Sequence, residues 1–298
     1  MKILFSEEFL QYREQGYPES PERVKTIKEY LQKKGVNEFI NVVSGGDENI
    51  LQVHTEELIR SVKENSFYDT GTPNIPNIYH YAFLSCVSAV NASSFALGGE
   101  IAFSLSRPPG HHAGRNTLGG ACYFNNMAVA VKEVLKEQRL KIAVLDIDGH
   151  HGNGTEEILK NEDGVIYLSL HQYPAFPGTG AFSFNNCYNF PVFPGSSIKN
   201  YMEKFEKAME VIRKFSPDLL GVSLGFAAHR ADPLLNLPLG DNHYYQMAKQ
   251  ISGIAKGIFI LLEGGYNINT VGNTCYSFLS GLTFPSGIQD NVKKNNQR

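Results

Sequence analysis

Five short runs of almost unbroken apolar residues recur along the chain: EIAFSL (100–105), KIAVLD (141–146), GVIYLSL (164–170), DLLGVSLG (218–225) and GIFILLE (257–263). Runs of this length without polar alternation predict strands covered on both faces, as in a parallel sheet clad by helices. Between them the period lengthens to that of a helix. Pro21 to Lys34 sets Val24, Ile27 and Leu31 on one side and meets Gly35, a stop signal. Thr55 followed by Glu56 and Glu57 predicts a capped, dipole-matched helix start. AFLSCVSAVNASSFAL (82–97) predicts a buried helix closed by Gly98 and Gly99, and Ser197 to Phe215 aligns Ile198, Tyr201, Phe205, Ala208 and Ile212 on one face. With no repeat, low-complexity block or linker between them, the alternating elements predict one domain over residues 1–298. Its architecture is α/β, a single open, mostly parallel sheet with helices on both faces. Only DNVKKNNQR (290–298) reads as a frayed, solvated tail.

In such sheets ligands bind beyond the carboxyl ends of the strands. The five runs are followed in turn by RPPGHH (107–112), DGHHGNGT (148–155), HQYPAFPGTG (171–180), FAAHRADP (226–233) and GGYN (264–267). A Gly/Pro turn explains any one of these loops, but not five polar, glycine-rich loops on one rim, so the rim is the candidate site.

Composition narrows the chemistry. The 298 residues carry 27 basic and 30 acidic side chains, a net charge of −3, which argues against a nucleic-acid footprint. Cys86, Cys122, Cys187 and Cys275 form no C-x-x-C pair, which excludes a cysteine zinc site and a disulfide scaffold and fits a reducing, cytoplasmic location. The N-terminus turns acidic after four apolar residues, unlike a signal peptide, and no apolar run reaches the roughly 18 residues that span a bilayer. Histidine stands out: five of the nine, His111, His112, His150, His151 and His171, fall in one central stretch.

Within DIDGHH, alternation brings Asp148 and His150 to the same side, one oxygen and one nitrogen donor suited to zinc or a similar divalent ion. A plain carboxylate–histidine hydrogen bond explains so short a motif equally well. The tandem His111–His112, after a stiff Arg-Pro-Pro-Gly approach, suits general acid–base work because imidazole titrates near neutrality. Asp146 and Asn153 are natural groups to orient the pair.

With these residues in view, the chain resembles the zinc-dependent histone deacetylase superfamily, nearest its class II and acetylpolyamine-amidohydrolase branch. The likeness runs in order through YPESPERV (17–24), RPPGHHA (107–113), GGACYFNN (119–126), DIDGHHGNGT (146–155), SLHQYPAFPGTG (169–180), SLGFAAHRADP (223–233) and LEGGYN (262–267). It implies an arginase/deacetylase-like fold and hydrolysis of an acetyl or other acyl group from an acylated lysine peptide or protein, or from an acetylated polyamine. By the resemblance, Asp148 and His150 are two of three zinc ligands. His112 is the main general base and acid, His111 its partner, and Asp146 and Asn153 pair with them in turn. Tyr266 stabilises the oxyanion, the Gly120 carbonyl receives the substrate amide, and Phe176 walls the acyl channel. Arg23 lies in an internal cavity, and Asp146, Asp148, His150, Ser169 and Leu170 surround a potassium ion. Asp69 takes the place of an acidic rim residue, with Gly71 as the competing alignment.

Two departures change that picture. Where the family reads G-F-D-A-H, this chain reads Gly225-Phe226-Ala227-Ala228-His229, so the third zinc ligand is replaced by a methyl group. Zinc is expected to bind weakly or not at all and the chain to be inactive, with His229 as the one substitute ligand to consider. Because the other catalytic positions are intact, Ala227 reads as an inactivating substitution of an active enzyme. Ala121 stands where relatives carry a phenylalanine facing Phe176, which implies a wider channel. Two rival functions are a metal-free binder of acylated lysine or polyamine, and a binuclear manganese ureohydrolase, which wants carboxylates that SLGFAAHRADP lacks. His54, His80 and His243 are expected in surface or capping roles, and Asp241–Asn242 is an ambiguous polyamine gatekeeper. Oligomeric state is left open.

Overall fold

A computed structural model of the chain describes residues 1–283 apart from 44, 47 and 138; the tail expected at 290–298 lies outside them. In chain order its elements are β1 (Lys2–Leu4), α1 (Pro21–Lys33), α2 (Glu48–Leu51), α3 (Glu56–Lys63), α4 (Ile78–Leu97), β2 (Ile101–Ser104) and α5 (Asn126–Glu137). They continue as β3 (Ile142–Gly149), α6 (Asn153–Leu159), β4 (Val165–Gln172), β5 (Cys187–Val192), α7 (Ile198–Phe215), β6 (Leu219–Leu224), α8 (Asp241–Ile251), β7 (Gly257–Leu262) and α9 (Ile268–Thr283). The strands form one seven-stranded sheet in the order β1-β2-β7-β6-β3-β4-β5, every neighbouring pair parallel. The five apolar runs are β2, β3, β4, β6 and β7, within a residue or two at their starts. The sequence pattern misses β1, only three residues long, and β5, whose CYNFPV carries polar residues and a proline. Proline is tolerated there because β5 is an edge strand.

Both sheet faces are covered. Ala143, Leu145 and Ile147 of β3 pack into one apolar cluster with Val24 and Ile27 of α1, Phe205 of α7, Tyr244 of α8 and Phe278 of α9. Ile142 and Val144 belong to the other cluster, with Ala89 of α4 and Val131 of α5. The pleat therefore carries the Ile142–Val144 row on to Asp146, at the carboxyl end of the strand. From β3 the chain proceeds to β4 on one side, and β6 later returns to pair on the other, so β3 sits where the strand order reverses.

The predicted Thr55 cap forms, and a second cap stands at Ser197. Thr55 Oγ1 accepts from Leu58 N at 3.2 Å and Ser197 Oγ from Asn200 N at 3.2 Å. Ser197→Ala is expected to cost about 1 kcal/mol, read as a lower urea midpoint with an unchanged slope. Among the described residues no helix is long and apolar enough to cross a membrane.

Candidate active site

The tandem-histidine loop leaves β2 and lies beside the end of β3. Its two rings are 4.0 Å apart between centroids and each is held by a different partner. His111 Nδ1 lies 3.0 Å from Asp146 Oδ2, and His112 Nδ1 lies 2.8 Å from Asn153 Oδ1 at the start of α6. Asp146 is fixed in turn by the Tyr167 hydroxyl at 3.1 Å and by the Asp148 N–H at 3.1 Å. These contacts give the two imidazoles opposite characters. Burial opposes protonation of His111, but Asp146, Asp148 and Glu263 outweigh it and raise its pKa to about 10. His112 is held well below the ordinary histidine value by burial and by repulsion from the neighbouring imidazoles of His111 and His150, which outweigh the opposing Asn153 hydrogen bond. His112 is thus a neutral base and His111 a cation.

Asp148 and His150 come together as alternation predicts, with His150 Nδ1 3.0 Å from Asp148 Oδ1. The His150 N–H also donates to Oδ1 at 3.1 Å and the Gly264 N–H to Oδ2 at 2.7 Å. Burial works against the Asp148 charge, yet His111 and the His150 contacts hold its carboxyl far below the usual range. The ring of His150 is 6.0 Å from that of His112. Ala227 is fully buried at the end of β6, and the next residue is bound to β3 through the Ala228 N–H and the Asp148 carbonyl at 3.0 Å.

A methyl group has no donor atom, and no group of three His, Cys, Asp or Glu side chains able to hold a metal ion occurs among the described residues. The residues present do not make a closed zinc site. His229 does not replace the missing ligand: its Nδ1 accepts from the Ala231 N–H at 3.2 Å and its Nε2 points to Asp241 at 3.7 Å. Asp241 itself accepts from Asn273 and Thr274 at the start of α8. The expected potassium residues meet in part: Asp146 of β3 is in register with Ser169 of β4 and Leu170 follows it, but the Ser169 hydroxyl is engaged by His171 Nδ1 at 2.9 Å.

Tyr266 and the channel residues close the site. A Cβ built on Gly264 would lie 2.6 Å from Asp148 Oδ2 and 3.2 Å from the Tyr266 hydroxyl, so only glycine lets the two approach. Burial pushes the Tyr266 hydroxyl well above its ordinary pKa, so it stays a proton donor. Arg23 grips this loop from below, with Nε on the Gly265 carbonyl at 2.7 Å, Nη2 on the Glu263 carbonyl and its guanidinium 4.9 Å from the Tyr266 ring centre. Phe176 stands edge-on to His112 at 5.0 Å, and Gly120, at φ +56°, lies between those rings. Ala121 is buried with its N–H on the Gly71 carbonyl at 3.0 Å, and the Tyr17 hydroxyl donates to that same carbonyl. Asp69 accepts from the Gly71 N–H at 2.9 Å and borders an open cavity of about 400 Å³ lined also by Glu14, Tyr17 and Asn74.

Residues that sequence reasoning left unassigned hold this frame. Glu263, fully buried, takes the Gly110 and His111 N–H groups on Oε2 (2.8 and 3.2 Å) and the Ser223 hydroxyl on Oε1 at 3.0 Å. The signal was a carboxylate ending an apolar strand. Burial, with Asp146 and Asp148 nearby, lifts Glu263 to about 7 against the pull of His111 and the Gly110 N–H. A carboxyl raised in the folded state keeps its proton where the unfolded chain loses it. Its contribution to stability therefore falls as pH rises from about 4.3 to about 7. Glu263→Gln is expected to flatten that slope in urea midpoints collected across the interval. His54 corrects the surface or capping expectation: it is buried, with Nδ1 donating to the Gly114 carbonyl at 2.9 Å and Nε2 accepting the Asn125 N–H at 2.8 Å.

A parallel sheet whose switch-point strand ends in a D-x-H pair, faced by tandem histidines and a tyrosine after two glycines, defines an arginase/deacetylase-like α/β protein. The chain belongs to the histone deacetylase family, matching the histone deacetylase domain over residues 17–282. It is 35% identical over 292 residues to a probable deacetylase of Archaeoglobus fulgidus, with 89% of this chain and 81% of that one covered. Against the histone deacetylase-like amidohydrolase of Pseudomonas aeruginosa it is 33% identical over 282 residues, covering 85% and 73%. The crystal structure of an acetylpolyamine aminohydrolase from Burkholderia pseudomallei superposes with a TM-score of 0.87 at 26% identity, covering 95% of this chain and 98% of that one.

Proposed function

We propose that this chain is built to bind an acylated primary amine, an acetylated polyamine or an acyl-lysine side chain, and that Ala227 disables its hydrolytic step. The observation that carries the reading is the placement of His112, held by Asn153 at 2.8 Å, 6.0 Å from the His150 ring and roofed by Phe176. In this arrangement the acyl stem enters beside Phe176, and the Gly120 carbonyl takes the amide N–H. The Tyr266 hydroxyl donates to the acyl oxygen, and His112 receives a proton from the attacking water and returns it to the departing amine. His111, charged beside Asp146, raises the acidity of its neighbour. Zinc in relatives supplies an activated water and polarises the carbonyl; two donors and a methyl do not hold it here. The name of the Burkholderia protein supports the polyamine substrate, and the four free, buried thiols support a cytoplasmic setting.

Binding without cleavage is a second reading that Ala227 itself favours. A ureohydrolase is disfavoured, since Asp232, the carboxylate of the 226–233 loop, is engaged by the N–H groups of Tyr266 and Leu234. Acetylated polyamines, acetyl-lysine peptides and bulkier acyl-lysine peptides are to be titrated calorimetrically against the chain as it stands and assayed for amine release with Ala227→Asp. Binding by the first and turnover by the second are expected. Neither binding nor turnover in either form overturns the reading, and binding with turnover in neither form establishes the binder.

A further inference from the structure

Tyr266 follows Gly264 and Gly265, the latter at φ +105°. Two glycines ahead of a side chain whose hydroxyl must sit at one place leave the backbone free to wander, so the tyrosine depends on tethers. Arg23 provides one from below, through the carbonyls of residues 263 and 265. The other is Asp232. Its Oδ2 accepts the Tyr266 N–H at 2.7 Å and its Oδ1 the Leu234 N–H at 3.0 Å, and its own N–H is bound to the His229 carbonyl at 2.8 Å. Asn267 Nδ2 ties the same two loops together at the Ala231 carbonyl, 2.6 Å away.

Asp232 is 6% exposed, and its hydrogen bonds among the described residues go to backbone N–H groups alone. A buried carboxylate without a cationic partner is costly, and a loop needing only to be filled would be served by an apolar residue. Both oxygens are used. Asparagine has one acceptor oxygen, and its NH₂ would face an N–H, so the amide cannot reproduce the pair of contacts.

We propose that Asp232 is a positioning residue, which by clasping the Tyr266 N–H sets the tyrosine hydroxyl beside the end of β3 for the acyl oxygen. The proposal rests on the reading of Tyr266 as oxyanion donor. In the Ala227→Asp enzyme, Asp232→Asn is expected to lower kcat roughly 10- to 100-fold, within the loss of one oxyanion donor. KM, zinc content and melting temperature are expected to change little. A cycle with Tyr266→Phe separates positioning from general support, since Asp232→Asn should add almost nothing where the hydroxyl is already gone. Equal losses in the presence and absence of the hydroxyl overturn the proposal.

A readout independent of catalysis uses the unaltered chain with 3-fluorotyrosine, the Tyr266 line being assigned from Tyr266→Phe. Asp232→Asn is expected to shift or broaden that ¹⁹F line. An unmoved line overturns the proposal even if Ala227→Asp proves inactive, an outcome that counts against the functional reading instead.

Discussion

Ala227→Asp is expected to raise bound zinc from a trace to about one ion per chain and amine release by at least roughly 1,000-fold. The donors already in place are a strongly acidic carboxyl, Asp148, and an imidazole, His150, in contact at 3.0 Å. A third donor, the carboxylate of residue 227, enters a fully buried position at the end of β6, where the adjoining Ala228 N–H is locked to the β3 carbonyl of Asp148. Little backbone movement is therefore required. The stability of the variant carries a sign of its own. Without metal, Ala227→Asp buries a second carboxylate beside Asp148 and should melt below the parent chain. Zinc should then raise its melting temperature in proportion to the logarithm of free metal, while leaving the parent unmoved. Metal analysis, calorimetric melts with and without chelator, and an amine-release assay read all three. Stoichiometric zinc in the parent, or a metal-replete variant no faster than the parent, sinks the account.

Glu19→Ala is expected to be the most destabilising change away from the site, by about 3 to 5 kcal/mol in urea denaturation. Glu19 is buried between two buried arginines. Its Oε1 and Oε2 accept from Arg107 Nε and Nη2 at 2.8 Å each, and Arg23 Nη1 reaches Oε1 at 3.1 Å. Arg107 also donates to the carbonyls of Phe9 and Tyr12 at 2.9 Å and covers the Tyr12 ring at 3.6 Å. Removing the carboxylate leaves two guanidiniums desolvated side by side. Burial works against the Glu19 charge, but Arg107 and then Arg23 overcome it and hold the carboxyl below its ordinary value. A depressed carboxyl contributes its full stability above the unfolded value of about 4.3 and loses it as pH falls toward the folded one. Parent and variant should converge in acid and diverge toward neutrality, and parallel curves across that range would contradict the assignment.

Much of this was legible from the chain because periodicity and punctuation agree. Apolar runs that end in Gly- and His-rich loops place the rim, and D-x-H spacing places Asp148 with His150. The unread part is of two kinds. β1 and β5 are edge strands whose short or mixed sequences carry no burial signal. Glu19, Arg107, Glu263 and Asp232 are charges that burial would forbid if they stood alone, and their long-range partners lie 34 to 153 residues away, beside the local Glu19–Arg23 and Asp232–Leu234 contacts. Pairing at that separation leaves no local pattern. The burial of His54 leaves no local pattern for the same reason, its two partners lying 60 and 71 residues further on.

The division of β3 between two apolar clusters bears on how such a chain can change over generations. Ile142 and Val144 face one cluster and Ala143, Leu145 and Ile147 the other. Inserting or deleting one residue upstream in this strand would swing Asp146 into the layer under α7 and α8 and present an aliphatic side chain to His111. By the proposed reading, one side chain at residue 227 silences this centre and Ala227→Asp revives it. A frame slip in β3 dismantles the layout itself, which no single substitution at a ligand position restores.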